Sequence, residues 1–193
     1  MLAIIGQVIR QLREENGIPL EELASRVGIS VDKLDRIEKN ETHPSLRLLI
    51  RISRALGAKL GTQLTGKEAD RTVDVVRHEE LSAYPILAGD EEEQDGRLRF
   101  YAMAQAKSDR HMDPLVVEIA PGDRTDTGAE RRSEHAGEEF LYVLEGEAVL
   151  YYGDEICRLR AGDSVYYNSS VPHTLTNETE QPARVLAVLY MPY

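Results

Sequence analysis

Residues 30–39 carry polar side chains at a spacing that suits contact with a polyanion. In a helix over these residues, burial of Val31, Leu34 and Ile37 leaves the other positions exposed. That exposed face holds three cations and two carboxylates: Asp32, Lys33, Asp35, Arg36 and Lys39. Lys and Arg reach phosphates and guanine edges, Asp accepts from a cytosine amino group, and a serine at the helix start donates to a phosphate. The predicted contacts to double-stranded DNA are therefore Ser30, Asp32, Lys33, Arg36 and Lys39.

Apolar residues at helical spacing predict four helices in residues 1–65, with the polar segment on the third. Their buried positions are, in order, Ile5, Val8, Ile9 and Leu12; Leu23, Ala24 and Val27; Val31, Leu34 and Ile37; and Leu46, Leu49, Ile52 or Ile50, and Leu56. Pro19 and Pro44 suit helix starts, and Gly28 ends the second helix. Only residues 28–30 connect the second and third helices, which predicts the tight turn of a helix-turn-helix.

The charge of the chain is unevenly distributed. Residues 1–65 hold ten Lys and Arg against eight Asp and Glu, a net charge of +2, and the rest hold thirteen against twenty-six, a net of −13. A polyanion is therefore expected to contact only the N-terminal third. No apolar run approaches the ~20 residues of a membrane helix, residues 1–5 are too short for a signal peptide, and Cys157 has no cysteine partner. These features predict a cytoplasmic protein without a membrane partner.

The helical third resembles the XRE (Cro/C1-like) family of helix-turn-helix domains. The matching segments are Ile9–Arg13, Pro19–Ala24, Gly28–Ser30, Leu34–Glu38 and Pro44–Leu46. The resemblance implies four or five helices, a third helix that enters the major groove, and a structural ion pair of Glu38 with Arg10 or Arg13. The alternative is that the helical domain serves only for dimerisation or for covering a substrate.

Beyond a polar linker near residues 62–71 and the acidic segment 90–96, the pattern changes to short β-type runs separated by turns. The predicted strands are Leu98–Ala106, Leu115–Ile119, Phe140–Leu144, Glu147–Tyr152, Ser164–Tyr167, His173–Thr176 and Val185–Leu189. We place the helix-turn-helix domain at 1–65, the linker at 66–75 and a β-domain at 76–193. Residues 61–68 nearly spell a phosphate-binding loop, but Glu68 occupies the metal-binding Ser/Thr position, so no nucleotide cofactor is expected.

The β-domain resembles the cupin family. Ser133–Gly146 matches its first motif and Gly162–Asn177 its second. The resemblance implies an all-β double-stranded β-helix, or jelly-roll barrel, and hence an α+β chain. It also implies metal ligands at His135, Glu139 and His173, with Ser133 in place of the family's first histidine. Two imidazoles and one carboxylate suit Fe(II), and Zn, Mn or Ni fit the same ligand types, so a divalent metal, Fe or Zn, is the expected cofactor.

Strand alternation places Leu141 and Val143 on the face of Glu139. With Ser133 and Tyr101 they form the predicted ligand pocket. The β-domain is rich in tyrosines, of which we expect one or two at the pocket: Tyr101, Tyr142, Tyr152, Tyr166 and Tyr167.

The pairing of these two domains is typical of bacterial regulators that bind an operator as a homodimer and a small-molecule effector through the cupin. The sequence therefore favours a regulator and assigns no catalytic residue. The alternative is a mononuclear non-haem iron oxygenase, because the same pairing resembles the iron epoxidases of hydroxypropylphosphonate. The chain departs from them in having Gly17 where they have a substrate-covering lysine, and in having only one tyrosine within residues 97–101. A third alternative is a metal-free binding protein without DNA activity.

Overall fold

The computed structural model describes residues 5–42, 44, 46–58, 72–81, 85–88, 98–104, 106–107, 110–122 and 132–192. The chain divides into two compact units, and we describe each by itself. The helical unit contains α1 (Ile5–Glu15), α2 (Leu20–Val27), α3 (Val31–Glu38), α4 (Leu46–Ala55), the short α5 (His78–Leu81) and strand β1 (Pro85–Ala88). The residues named above at 59–71 and 90–96 lie outside the described part of the chain.

Helices α1 to α4 pack around an apolar core that the helical periodicity predicts closely. Leu34 and Ile37 of α3 are completely buried, and so is Ile9 of α1. Ile50 and Ile52 are both buried, so α4 uses both of the positions between which the sequence left a choice. The prediction for Val31 was wrong, because its side chain is 39% exposed. As the first residue of α3, it has no preceding turn to cover it, and its Cβ points beyond the helix end.

The connection between α2 and α3 is a tight turn built by backbone conformation and a cap. Gly28 has φ 63°, a left-handed conformation that glycine adopts without steric cost. The backbone N–H of Ile29 then donates to the carbonyl of Ala24 at 3.1 Å, which closes the end of α2. Ser30 caps α3 by accepting a hydrogen bond from the backbone N–H of Lys33 at 3.1 Å. The turn therefore fixes where α3 begins.

The barrel unit consists of strands β2 to β9, of which β3 to β9 pair in antiparallel fashion. Their bounds are β2 (Leu98–Ala102), β3 (Met112–Ile119), β4 (Glu138–Glu145), β5 (Glu147–Tyr152), β6 (Glu155–Arg160), β7 (Ser164–Asn168), β8 (His173–Thr176) and β9 (Ala183–Tyr190). One sheet has the order β2-β3-β9-β4-β7 and the other the order β6-β5-β8. The fold class is α+β, with helices first and then two β-sheets, as predicted.

The larger sheet has one face in the core. In the antiparallel register of β4 with β9, Leu141 lies opposite Ala187 and Val143 opposite Val185. All four residues are buried, whereas Tyr142, which points to the other face, is exposed. The apolar layer between the sheets therefore surrounds the residues of β4 that share a face with Glu139.

The strand predictions succeed where alternation is strong. The bounds of Glu147–Tyr152 and His173–Thr176 are confirmed. The run predicted at Leu98–Ala106 was too long, because the strand ends at Ala102 and Ala104 has φ 52°, which no strand accommodates. Strand β6 was missed because five of its six side chains are not buried, so it lacks an apolar alternation. No helix in the described part of the chain is long and apolar enough to cross a bilayer.

Candidate metal centre and nucleic-acid interface

Three buried side chains from two parts of the barrel unit meet in one cluster. Glu139 is the second residue of β4, His135 precedes that strand, and His173 opens β8. Backbone pairing brings these segments together, because the N–H of Ser133 donates to the carbonyl of His173 at 2.7 Å and the reverse bond is 2.9 Å. The N–H of His135 donates to the carbonyl of Ser169 at 2.9 Å. The cluster is thus positioned by main-chain hydrogen bonds.

The ligand atoms of the cluster converge on one carboxylate oxygen. The Nε2 atoms of His135 and His173 lie 2.7 and 3.2 Å from Glu139 Oε1. One potential ligand atom from each of the three residues lies within 4.8 Å of the other two. The two imidazole rings meet edge to face with centroids 5.7 Å apart. A single cation can therefore contact all three residues.

The electrostatics of the cluster are dominated by burial and by the charge of Glu139. Burial opposes ionisation, but hydrogen bonds from His135, His173 and Tyr167 outweigh it and hold the pKa of Glu139 at about 2. Burial is the largest single effect on His173 and lowers its pKa, but the hydrogen bond to Glu139, the charge of Glu139 and the hydrogen bond to the Val171 carbonyl together raise the pKa by more, so the net shift is upward. The carboxylate is ionised at neutral pH, and its charge favours the protonated form of His173.

The cluster fits a divalent transition metal. His173 Nδ1 lies 2.8 Å from the carbonyl oxygen of Val171, an acceptor only, so Nδ1 carries the proton and Nε2 is the atom left for a metal. His135 Nδ1 is buried and has no hydrogen-bond partner in the described residues. Two imidazoles and one carboxylate suit Fe(II) and Zn. Such an ion would act as a Lewis acid and would bind oxygen or nitrogen donors.

The residues predicted to line the pocket divide into two groups. Leu141 and Val143 are buried on the same face of β4 as Glu139, and Ser133 pairs with His173 through the backbone. Tyr101 is not brought to the cluster. Its hydroxyl donates to Glu118 Oε2 at 2.7 Å, and Glu118 lies opposite Arg184, on the face of the sheet away from Glu139. The sequence around Tyr101 does not show which face of the sheet its side chain lies on, so the prediction could not exclude it from the pocket.

Tyr167 reaches the cluster. It is one of the five tyrosines of which we expect one or two at the pocket, and the sequence does not distinguish it from the others. Its hydroxyl donates to Glu139 Oε2 at 2.7 Å. Strand β7 places Tyr167 directly opposite Glu139 on β4. Identifying this contact requires the pairing of two strands that are not adjacent in the chain, and the local sequence contains no such signal.

Helix α3 presents the polar face predicted for DNA contact. Ser30, Asp32, Arg36 and Lys39 are exposed, and Lys33 is half-buried. Lys39 Nζ lies 2.6 Å from Asp35 Oδ2 on the same face, and this hydrogen bond raises the pKa of Lys39. Within the part of the chain that the structure describes, Arg36 forms no ion pair. The Ser30 hydroxyl accepts from Lys33 and still has a proton to donate.

A buried ion pair and a close backbone contact hold α3 against α1. Arg13 donates to both carboxylate oxygens of Glu38, at 2.7 and 2.9 Å, so Arg13 is the partner that the sequence left open. Arg10 instead pairs with Glu14 at 2.9 Å. Gly6 of α1 lies so close to α3 that a Cβ atom would be 1.9 Å from the carbonyl oxygen of Ile37. This contact had no signal in the sequence beyond the glycine itself.

Comparison with known proteins finds both domains. The Cupin domain family matches residues 115–189 and the Helix-turn-helix family matches residues 9–62. The chain is 30% identical to (S)-2-hydroxypropylphosphonic acid epoxidase of Streptomyces wedmorensis over 89% of this chain and 87% of that protein. It is 24% identical to the HTH-type transcriptional regulator PuuR of Escherichia coli K12, over 94% and 92% of the two chains.

The fold as a whole also has a solved counterpart. An HTH_3 family transcriptional regulator from Vibrio cholerae superposes with a TM-score of 0.73 at 19% identity, over 98% of this chain and 96% of that chain. The chain belongs to the family of proteins that join an XRE-type helix-turn-helix domain to a cupin domain. The helix-turn-helix regulators among its relatives support a transcriptional regulator.

Proposed function

We propose that this chain is a DNA-binding transcriptional regulator whose cupin domain binds a small effector. The observation that carries the proposal is the exposed face of α3. The Ser30 cap fixes the start of this helix, and the Arg13–Glu38 ion pair holds the helix against α1. A regulator that resembles the chain over almost its full length supports the same function. The Arg36 guanidinium is the group on this face best suited to a phosphate or a guanine edge.

The proposed assembly is a homodimer on double-stranded DNA in the cytoplasm. A dimer with two-fold symmetry places two copies of α3 in successive major grooves and recognises a palindromic operator. We assign the helix-turn-helix domain to residues 1–65, the linker to 66–75 and the sensor domain to 76–193. The contact residues on each copy are Ser30, Asp32, Lys33, Arg36 and Lys39.

Selection from genomic fragments with the purified protein tests this function. We expect enrichment of a short palindromic site, and we expect Arg36→Ala to weaken binding to that site by about 5- to 150-fold, the value of one good base contact. Arg10→Ala is the matched control, because it removes the same charge from an exposed position on α1. No enrichment at low salt, or equal losses in the two variants, contradicts the proposal.

For the sensor domain, we propose a divalent metal, Fe or Zn, at His135, Glu139 and His173. Their convergence and the partner of His173 Nδ1 support a metal site. The metal would serve as the anchor for an effector with an oxygen or nitrogen donor, near Ser133, Leu141 and Val143. Regulation requires that the effector bind two states of the dimer with different affinity.

Equilibrium dialysis against Zn(II), and against Fe(II) without oxygen, tests the metal. We expect one ion per chain in the wild type and none in Glu139→Ala. DNA affinity measured with and without the ion then shows whether the two domains are coupled. Absence of binding by the wild type contradicts the metal, and unchanged DNA affinity contradicts coupling through the metal alone.

A second candidate function is a non-haem iron oxygenase. The observation that favours it is the His135–Glu139–His173 triad, together with 30% identity to an epoxidase. Iron bound there would supply oxygen chemistry, while the chain would provide the ligands and the buried surroundings. Substrate-dependent oxygen consumption after anaerobic Fe(II) loading, lost in Glu139→Ala, would establish it. A hydroxyalkylphosphonate is the first substrate to try, and no consumption with it removes the support that the epoxidase lends.

A further inference from the structure

The two carboxylate oxygens of Glu139 contact different groups. Oε1 lies 2.7 Å from His135 Nε2 and 3.2 Å from His173 Nε2, so it faces the place where the ligand atoms converge. Oε2 accepts the hydrogen bond from the Tyr167 hydroxyl at 2.7 Å. Rotation of the carboxylate about its Cγ–Cδ bond would break both sets of contacts.

Tyr167 itself is held firmly. It is 7% exposed and lies directly opposite Glu139 in the register of β4 with β7. Its ring packs against the rings of His173 and Tyr152, with centroids 5.1 and 5.3 Å away. Tyr152 is in turn anchored, because its hydroxyl donates to the carbonyl of Asn168 at 3.1 Å. The phenol therefore has little freedom to leave the carboxylate.

We propose that Tyr167 is a positioning residue that restricts Glu139 to one metal-binding oxygen. The inference rests on the metal site proposed above. A carboxylate binds a divalent cation through one or both oxygens, and a fixed donor at Oε2 orients the group so that only Oε1 is presented. The coordination position that Oε2 would otherwise occupy stays open for an exogenous ligand with an oxygen or nitrogen donor.

The neighbouring tyrosine provides a matched control. Tyr166 also donates a hydrogen bond to a glutamate, Glu138 Oε2, but from the opposite face of the same strand. Tyr166→Phe therefore removes one phenol–carboxylate bond without touching Glu139. Tyr167→Phe removes the other and keeps the ring that packs on His173 and Tyr152.

Binding of Co(II) to the two variants and the wild type tests the inference. The metal is added to the full-length protein without oxygen, its affinity is measured against a chromophoric chelator, and its visible absorption reports the coordination number. We expect Tyr167→Phe to lower Co(II) affinity by about 10- to 100-fold, as is usual for removal of a partner of a ligand. We also expect its spectrum to change as Glu139 becomes bidentate, with thermal unfolding of the metal-free protein little altered. Tyr166→Phe should match the wild type in both respects.

Three results overturn the inference, and they are distinguishable. An unchanged affinity and spectrum in Tyr167→Phe shows that the phenol does not position Glu139, while the metal site stands. A lower affinity with an unchanged spectrum shows a merely structural role. Absence of Co(II) binding by the wild type removes the metal site and this inference with it, but leaves the DNA-binding proposal untouched.

Discussion

Each unit of the molecule buries a glutamate, and the two are neutralised in different ways. Glu38 of the helical unit is 5% exposed and is bound by both arms of the Arg13 guanidinium. Glu139 of the barrel unit is 7% exposed and is contacted by two imidazoles and a phenol. A guanidinium is charged at every physiological pH, whereas an imidazole is charged only when it is protonated.

The difference separates a structural carboxylate from a functional one. Glu38 has a permanent counter-ion within the chain, so the pair needs nothing from solution and serves to hold α3 against α1. In the described part of the chain, the side-chain partners of Glu139 are two histidines and a tyrosine, so its positive charge would come from a proton on His173 or from the proposed metal ion. A buried carboxylate that is neutralised by protons or metal ions from solution can respond to pH or to the concentration of the metal.

Loss of the counter-ion of Glu38 should have the largest effect on stability. In Arg13→Met, the aliphatic part of the side chain is kept and Glu38 is left buried without its cation. We expect the helical unit to lose about 3–5 kcal/mol, the usual cost of breaking one side of a buried ion pair. Urea unfolding followed by the helical circular dichroism signal measures this loss.

Two further variants decide whether that loss comes from the buried charge. Arg10→Ala removes an arginine from the exposed pair with Glu14, and its unfolding midpoint should stay close to that of the wild type. Arg13→Met combined with Glu38→Leu removes both charges and should recover much of the stability. If the double variant is as unstable as Arg13→Met, packing around Arg13 is responsible and the view of Glu38 given above is wrong.

For Glu139 the corresponding prediction concerns pH. Its pKa is lowered from 4.5 to about 2, so its contribution to stability is complete above about pH 4.5 and is lost as the pH falls through 2. The pKa of His173 is raised from 6.5, so its contribution is complete below 6.5 and is lost as the pH rises through its value in the folded protein. The metal-free cluster is therefore most stabilising between about pH 4.5 and 6.5.

Thermal unfolding of the metal-free wild type and Glu139→Gln at pH 5.5 and pH 8 tests this window. We expect the change from pH 5.5 to pH 8 to destabilise the wild type more than the variant. Each kcal/mol of lost stability should lower Tm by about 2–4 °C. At pH 8, Zn(II) at 100 times its Kd should stabilise the wild type by about 2.7 kcal/mol and leave Glu139→Gln unchanged. Parallel pH profiles in the two proteins would mean that Glu139 and His173 are not coupled as the geometry indicates.

Most of the helical unit could be predicted from the sequence, because its signals are local. Apolar spacing of three and four residues, the Ser30 cap and Gly28 act within one or two helical turns. Two features of this unit do not follow from apolar spacing. Gly6 of α1 has no side chain, and this makes room for the backbone of α3, which lies far from it in the chain. The prediction that Val31 is buried was wrong, because apolar spacing alone does not show at which residue a helix begins.

The barrel unit also combines features that local sequence predicts with contacts that depend on residues far apart in the chain. Strand existence follows from alternation, and the convergence of His135, Glu139 and His173 was expected from the cupin motifs. The contact of Tyr167 with Glu139 and the placement of Tyr101 on the other face depend on which strands pair and in what register. Those pairings join residues far apart in the chain, and a single sequence carries no direct record of them.

Asp35 supplies a third kind of carboxylate, an exposed one. Its hydrogen bond to Lys39 is open to water on the face of α3 proposed to meet DNA, and the side chains are 38% and 52% exposed. Salt screens such a pair and it adds little to stability. Its effect should therefore appear in DNA binding, where Asp35 holds a cation that would otherwise reach a phosphate.

Asp35→Asn should raise affinity for DNA of any sequence by about two- to five-fold at low salt, because Lys39 becomes available to the backbone. The plot of log K against log salt should then steepen by about 0.9, the release of one counter-ion. Glu22→Gln is the control, since it frees Arg26 in the same way on α2 and changes the net charge equally. Equal steepening in both variants would mean that net charge alone sets the affinity, whereas steepening confined to Asp35→Asn locates the contact on α3. In that case the exposed carboxylate of Asp35 weakens affinity for DNA of any sequence, whereas Glu38 holds α3 against α1 and Glu139 is the proposed metal ligand.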